Sequence, residues 1–151
     1  HYFGYRAAVG EQLGVELGTM RYSHPGYSHL DSQDLYAGLT LGERRFGLAF
    51  SDEPSRRDGT LLADLGTYTS LGLAVHARYA SHLLNTPTTL ANGAQVRVFN
   101  DWSLSLSRPW LGIDLNLSYS DSSLGGDACS AYSGQNSHCE SEFSFEATRV
   151  F

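Results

Sequence analysis

Hydrophobic and polar residues alternate one for one along most of this chain, most regularly between Trp102 and Ser120. Trp102, Leu104 and Leu106 alternate with Ser103, Ser105 and Ser107. Arg108-Pro109-Trp110 reads as a tight break, after which Leu111, Ile113, Leu115, Leu117 and Tyr119 alternate with Gly112, Asp114, Asn116, Ser118 and Ser120. Successive side chains of a strand point to opposite faces, so the stretch predicts a hairpin with one apolar face and one face of small and acidic groups. The polar face of a soluble two-layer protein meets water and usually carries Lys, Glu and Thr. Small and acidic groups suit a narrow enclosed space better. The pattern therefore points to the inside-out arrangement of a transmembrane β-barrel, apolar towards lipid and polar towards a lumen.

The same period of two runs through the rest of the chain, and no segment shows a helical period of 3.6. His1 to Gly10 reads as a strand with Phe3, Tyr5, Ala7 and Val9 on one face. After the turn Gly10-Glu11-Gln12 come Leu13, Val15, Leu17 and Thr19, then a longer loop from Tyr22 to Gln33. Leu35, Ala37, Leu39 and Leu41 follow, then the turn Gly42 to Arg44, then Phe46, Leu48 and Phe50. Ser51 to Gly59 reads as a polar loop. Leu61, Ala63, Leu65 and Thr67 lead through a turn at Tyr68 to Ser70 into Leu71, Leu73, Val75, Ala77 and Tyr79. A third long segment, Ser81 to about Ala94, precedes the hairpin. Beyond the hairpin lie a polar stretch from Asp121 to Glu142 and a last strand with Phe143, Phe145, Ala147, Arg149 and Phe151 on one face. Connections thus alternate short and long, as in outer-membrane barrels with short periplasmic turns and long outside loops.

The expected fold is a single all-β domain over 1–151, an antiparallel up-and-down transmembrane β-barrel with about nine strands visible. Single-chain bacterial barrels have an even strand number. With Phe151 at the periplasmic end, the long connections fall outside and His1 lies at the outer surface. Either strands precede His1 or the first segment is not a barrel strand; the first is favoured, making these nine part of a larger even-stranded barrel. No signal peptide is visible, and the chain opens at His1 rather than at a methionine.

Composition narrows the function classes. Ten Lys plus Arg stand against 16 Asp plus Glu, for a net charge of −6; a nucleic-acid binder needs a basic stripe instead. Charged residues make up only 17%, while 16 glycines and 9 tyrosines are many. No apolar run reaches the ~18 residues of a transmembrane helix, but barrel strands are short and half apolar and escape that criterion. The two cysteines, Cys129 and Cys139, lie in the Ser-, Gly- and Asn-rich stretch and read as a loop disulfide in an oxidising compartment. Two free thiols are the alternative; with His138 they make an incomplete metal-ligand set.

Several stretches together resemble the TorF-type porin family of the proteobacterial outer membrane. They are Leu13 to Gly26, with its Tyr22-Ser23-His24-Pro25-Gly26 ending; Asp34 to Leu39; Leu71 to Tyr79; Asn100 to Leu106 with its continuation from Leu111 to Ser120; and the Arg149-Val150-Phe151 ending. The match covers nearly all of this chain but only the later two-thirds of the family pattern. The resemblance implies an outer-membrane location and barrel fold, and a Cys-bearing loop before a final strand that ends in Phe. It implies transport less directly.

The candidate lumen set is Glu16, Tyr36, Arg45, Asp64, His76, Arg78, Asp114, Asn116, Glu142 and Glu146. One reading makes it a small, mildly acidic pore passing small solutes or ions, since carboxylate rings favour cations. The other makes it a salt-bridged lumen that seals a small barrel, with Arg78 paired to Asp64 or Asp114. Leu104, Leu106, Ile113, Leu115, Leu117, Phe143, Phe145 and Phe151 are expected to face the membrane. Trp102, Tyr79, Tyr22, Trp110 and Tyr119 are expected at its interfaces, where amphipathic rings are favoured. His24, His29 and His138 fall in outside loops without compact ligand spacing, so no metal and no cofactor are expected. His76 has no nucleophile motif beside it, so no enzyme is expected. The partners implied are the lipid bilayer, the barrel-assembly machinery acting on the C-terminal strand, and a homo-oligomer or another outer-membrane protein; nucleic acid is not among them. A structural barrel accompanying a larger outer-membrane assembly and a soluble β-sandwich are the competing classes.

Overall fold

A computed structural model describes residues 1–27, 31–68, 70–90, 92–125, 128–129 and 141–149. Nine antiparallel strands follow one another as neighbours in one sheet, in the order β1 to β9. They are β1 (Tyr2–Val9), β2 (Leu13–Tyr22), β3 (Ser32–Leu41), β4 (Arg44–Asp52), β5 (Arg56–Tyr68), β6 (Leu73–Thr89), β7 (Gln95–Trp110), β8 (Ile113–Ser122) and β9 (Glu142–Thr148). The sheet is open. Tyr2–Val9 pairs only with β2 and Glu142–Thr148 only with β8, so β1 and β9 are free edges. The closure expected from the sequence is not made by these strands. Its physical obstacle is direction: in an up-and-down antiparallel order the first and ninth strands run the same way and are not antiparallel partners.

Register carries the alternation across the whole sheet. Arg6 pairs with Glu16, Glu16 with Gly38, Gly38 with Gly47 and Gly47 with Leu62, which faces Arg78, Ser103, Ser120 and Glu142 in turn. Each apolar position lines up the same way: Tyr5, Leu17, Ala37, Leu48, Leu61, Tyr79 and Trp102 form one row. A one-residue slip in any strand would exchange its two faces.

Three connections differ from the sequence reading. Ser51 to Gly59 is not a loop. Strand β4 runs to Asp52 and β5 starts at Arg56, joined by a tight turn in which the Glu53 and Arg56 amides each donate to the other's carbonyl, at 2.9 and 3.3 Å. Ser81 to Ala94 is mostly strand as well: β6 continues to Thr89, with a register irregularity between Leu83 and Thr88. Pro87, which has no N–H to give to a ladder, lies inside that irregularity. The break placed at Arg108-Pro109-Trp110 falls two residues later. Strand β7 includes Trp110, and the turn is Leu111-Gly112, both left-handed with φ of 51° and 77°. Two successive positive φ values give the type I′ geometry that matches strand twist. The errors share one cause: polar residues and proline within a ladder read as loop when only hydrophobicity is followed.

The loop asymmetry is thereby redrawn. Connections 10–12, 42–43, 69–72 and 111–112 are all short at one end of the sheet. At the other end, 23–31 and 123–141 are long, but 53–55 and 90–94 are short and stand on taller hairpins. Strands β5, β6 and β7 have 13, 17 and 16 residues, against 8 and 7 for β1 and β9.

A bulge near the short-turn end of β5 sets the position of Asp64. Leu65 and Gly66 oppose the single residue Val75, since Asp64 faces His76 and Thr67 faces Ala74. Gly66 has φ of 73°, and its amide donates to Asp64 Oδ1 at 3.0 Å. A Cβ there would stand 3.2 Å from the Glu43 carbonyl oxygen. Gly66→Ala is therefore expected to cost about 1–2 kcal/mol from the left-handed backbone alone, read as a lowered midpoint in denaturant unfolding.

Candidate functional site: the two faces of the sheet

Every described residue of the predicted lumen set falls on one face. Glu16, Tyr36, Arg45, Asp64, His76, Arg78, Asp114, Asn116, Glu142 and Glu146 connect to one another through register pairs and positions two apart. Paired positions of that face carry the carboxylates of Glu16, Asp34, Asp58, Asp64, Asp101, Asp114, Glu142 and Glu146 against the guanidiniums of Arg6, Arg45, Arg56 and Arg78. Eight against four leaves the face acidic. Small residues open space between these groups. An open groove of about 550 Å³ at the β1–β4 side is lined by Arg6, Gly14, Glu16, Thr40 and Arg45, with Arg6 Nη2 2.9 Å from Glu16 Oε2. Tyr36 does not stand away from the sheet. Its ring lies along the sheet over Gly38 and Gly47, where a Cβ would approach its atoms to 2.7 and 3.1 Å.

The most connected polar cluster joins Arg78 of the predicted set to Asp58, His82 and Asp101, which were not in it. His82 on β6 is 8% exposed. Its Nδ1 lies 2.7 Å from Asp58 Oδ1 on β5, and its Nε2 lies 2.7 Å from Asp101 Oδ2 on β7. Asp58 also holds Arg56 Nε at 3.0 Å, and Asp101 Oδ1 accepts from Arg78 Nη1. Arg78 thus pairs with Asp101 and not with Asp64 or Asp114, as the sequence reading had it. Register excludes Asp114, two strands away, but leaves Asp64 and Asp101 each one diagonal step from Arg78, beside its direct partners Leu62 and Ser103. Asp64 instead stands 3.6 Å from His76 Nδ1. Asp58 and His82 were missed because both lie in segments read as loops. The available signal was their parity, since each continues its strand's polar positions beyond the apolar band.

The His82 ring stacks on Phe99, with centroids 4.5 Å apart and planes 20° from parallel. Phe99, Leu84, Leu124 and Cys129 form a small buried group at the long-connection end. It is the one buried apolar cluster among the described residues, and it lies on the polar side of β6 and β7. No cysteine among the described residues is a free thiol; Cys139, His29, His138 and Phe151 lie outside those residues. No group of three or more His, Cys, Asp or Glu among the described residues is arranged to hold a metal ion.

The opposite face is apolar and uncovered. Leu104, Leu106, Ile113, Leu115, Leu117, Phe143 and Phe145 share it through their register pairs. Phe3 is 75% exposed, Phe143 66% and Phe145 65%, and Leu17, Leu35, Leu48, Phe50 and Leu61 are exposed too. Nothing among the described residues packs over this side as a second layer. Aromatic residues mark its borders, but Tyr22, expected among them, pairs with Ser32 and lies on the polar face with Glu16. Trp102 and Tyr119 are in contact at 5.3 Å between centroids, beside Tyr79, and Trp110 stands eight residues further along β7. Eight residues of strand span about 26 Å, or roughly 20 Å along the normal at the ~40° tilt of barrel strands. Beyond the band this face turns polar again, with Arg21, Gln33, Asp52 and Arg57 in one row. No helix is long and apolar enough to cross a membrane, which says nothing of strands. Compared with protein-family models, curated proteins and solved structures, the chain shows no match.

Proposed function

We propose that this chain forms most of an even-stranded transmembrane β-barrel of the bacterial outer membrane, a porin of the TorF type that passes small solutes or ions through a mildly acidic lumen. The observation that carries the reading is the pairing of an uncovered apolar face, bordered by aromatic residues, with an acidic face of small side chains. A water-soluble sheet buries its apolar face against a second layer. Lipid is the solvent in which such a face can stay bare, and the roughly 20 Å from Trp102 to Trp110 along the normal lies within a barrel band about 25 Å tall. An antiparallel closure then takes an odd number of further strands between β1 and β9. In this reading Cys129 bridges to Cys139 within the 123–141 connection, the barrel-assembly machinery acts on β9, and Phe151 continues the lipid-facing row.

The cross-strand chain Arg56, Asp58, His82, Asp101 and Arg78 favours a second reading, a structural barrel whose lumen is sealed by ion pairs and which accompanies a larger outer-membrane assembly. Single-channel conductance in a planar bilayer separates the two. The porin reading expects steady openings whose cation preference falls in Asp64→Asn/Asp114→Asn, because both carboxylates stand on the polar face and Asp114 has no ion pair among the described residues. A folded, heat-modifiable barrel without conductance would establish the sealed form.

A further inference from the structure

His82 sits between two carboxylates, and the geometry dictates its chemistry. Each ring nitrogen has an aspartate oxygen at 2.7 Å, Asp58 on one side and Asp101 on the other. Neutral imidazole has one N–H and one lone pair; only the imidazolium donates at both nitrogens. If the ring loses its proton, one of the two contacts sets a lone pair against a carboxylate oxygen and is lost. Water is poorly placed to replace it, because His82 is 8% exposed and its ring face is covered by Phe99.

The groups that face His82 carry one more negative than positive charge without it. Arg56 and Asp58 come from β5, Arg78 from β6 and Asp101 from β7, while Glu53 reaches Arg56 from the β4–β5 turn at 3.3 Å. The neighbouring polar-face residue of β8, Ser122, is neutral. Three carboxylates meet two arginines here, so the histidine proton completes the charge balance and ties the two halves of the ladder together. The ladder also stands beside an interruption of strand pairing. Above it come the Leu83/Thr88 irregularity and the β4–β5 turn, which is held to β6 by Asn85 Nδ2 donating to the Pro54 carbonyl at 2.7 Å. Phe99, stacked on the ring, is the floor on which Leu84 and Leu124 pack.

We propose that Asp58, His82 and Asp101 form a proton-operated clasp: the imidazolium locks the long-connection end of β5, β6 and β7, and loss of its proton loosens that end while the rest of the sheet stays paired. The device stands on this geometry and does not depend on whether the polar face conducts.

The test is hydrogen exchange on the full chain folded in detergent micelles, with ¹⁵N-histidine spectra recorded alongside. Wild type and His82→Gln are compared between about pH 5 and about pH 9, the range histidine spans, so that their ratio at each pH cancels intrinsic exchange. At low pH the His82 ring is expected to show two protonated nitrogens. Segments 80–86 and 97–102 should there exchange about tenfold more slowly in wild type than in His82→Gln, the scale of one lost charge-assisted hydrogen bond. The ratio should fall towards one as the ring deprotonates, while segments 13–20 and 35–41 stay unchanged. If His82→Gln does not fold, Asp58→Asn serves, with exchange expected to be several-fold faster at low pH. A neutral His82 ring throughout, or an exchange ratio without a pH step, overturns the clasp.

Discussion

Leu106→Arg is expected to destabilise the protein folded in phospholipid vesicles by about 2–4 kcal/mol, the cost of a cation at the middle of a lipid-facing strand. Leu106 lies midway between Trp102 and Trp110 on the apolar face of β7, opposite Val75 and Leu117. The effect depends on what covers that face. In water, arginine on an uncovered sheet would be close to neutral. In lipid it must reach an interface about four residues away in either direction, or carry water with it. Ser105→Asn, one residue earlier and on the opposite face, is expected to change stability by less than about 0.5 kcal/mol. Reversible urea unfolding from vesicles, followed by tryptophan fluorescence, measures both. Equal small effects for the two variants would remove the lipid-facing assignment, and with it the membrane reading of the fold.

Asp101→Ala should cost about 3 kcal/mol in the same unfolding experiment, because it removes one partner from a partly buried ion cluster. Asp101 holds His82 through one carboxylate oxygen and Arg78 through the other. Its loss leaves Arg78 without its acceptor and His82 with Asp58 alone. Asp114→Ala is the contrast. Asp114 has no ion pair among the described residues and pairs in register with Pro109 and Thr148, so its removal is expected to stay within about 0.5 kcal/mol. The order of the two effects matters more than their size. Equal costs would mean that the Asp58–His82–Asp101 cluster contributes no more than an ordinary surface carboxylate.

The alternation alone was enough to place side chains on faces. Strands β2 and β8 follow the period of two from Leu13 to Thr19 and from Ile113 to Ser120, and their lumen candidates Glu16, Asp114 and Asn116 fall where parity put them. This works because parity is local: the face of each residue follows from its neighbours, whatever lies across the sheet. The short turns at 10–12 and 42–43 were legible for the same local reason, with glycines at φ of 78° and 60° supplying backbone that other residues resist.

Where strands ended was less legible. In Asp52, Arg57, Asp58 and His82 the ladder continues into polar sequence, held by cross-strand ion pairs in place of apolar burial. A hydrophobicity pattern has no signal for that. Partner choice was beyond it altogether: Asp64, Asp101 and Asp114 share one face with Arg78, register leaves both Asp64 and Asp101 diagonal to it, and the side chains join Arg78 to Asp101. The sequence by itself determined an all-β chain, the division into an apolar and an acidic face, and which residues belong to each, because these follow from period and chemistry. The tertiary structure alone decided the height of the β5–β7 hairpins, the pairing of Arg78, the burial of His82 between two aspartates and the open edges at β1 and β9. Those depend on which residues far apart in the chain come to lie side by side.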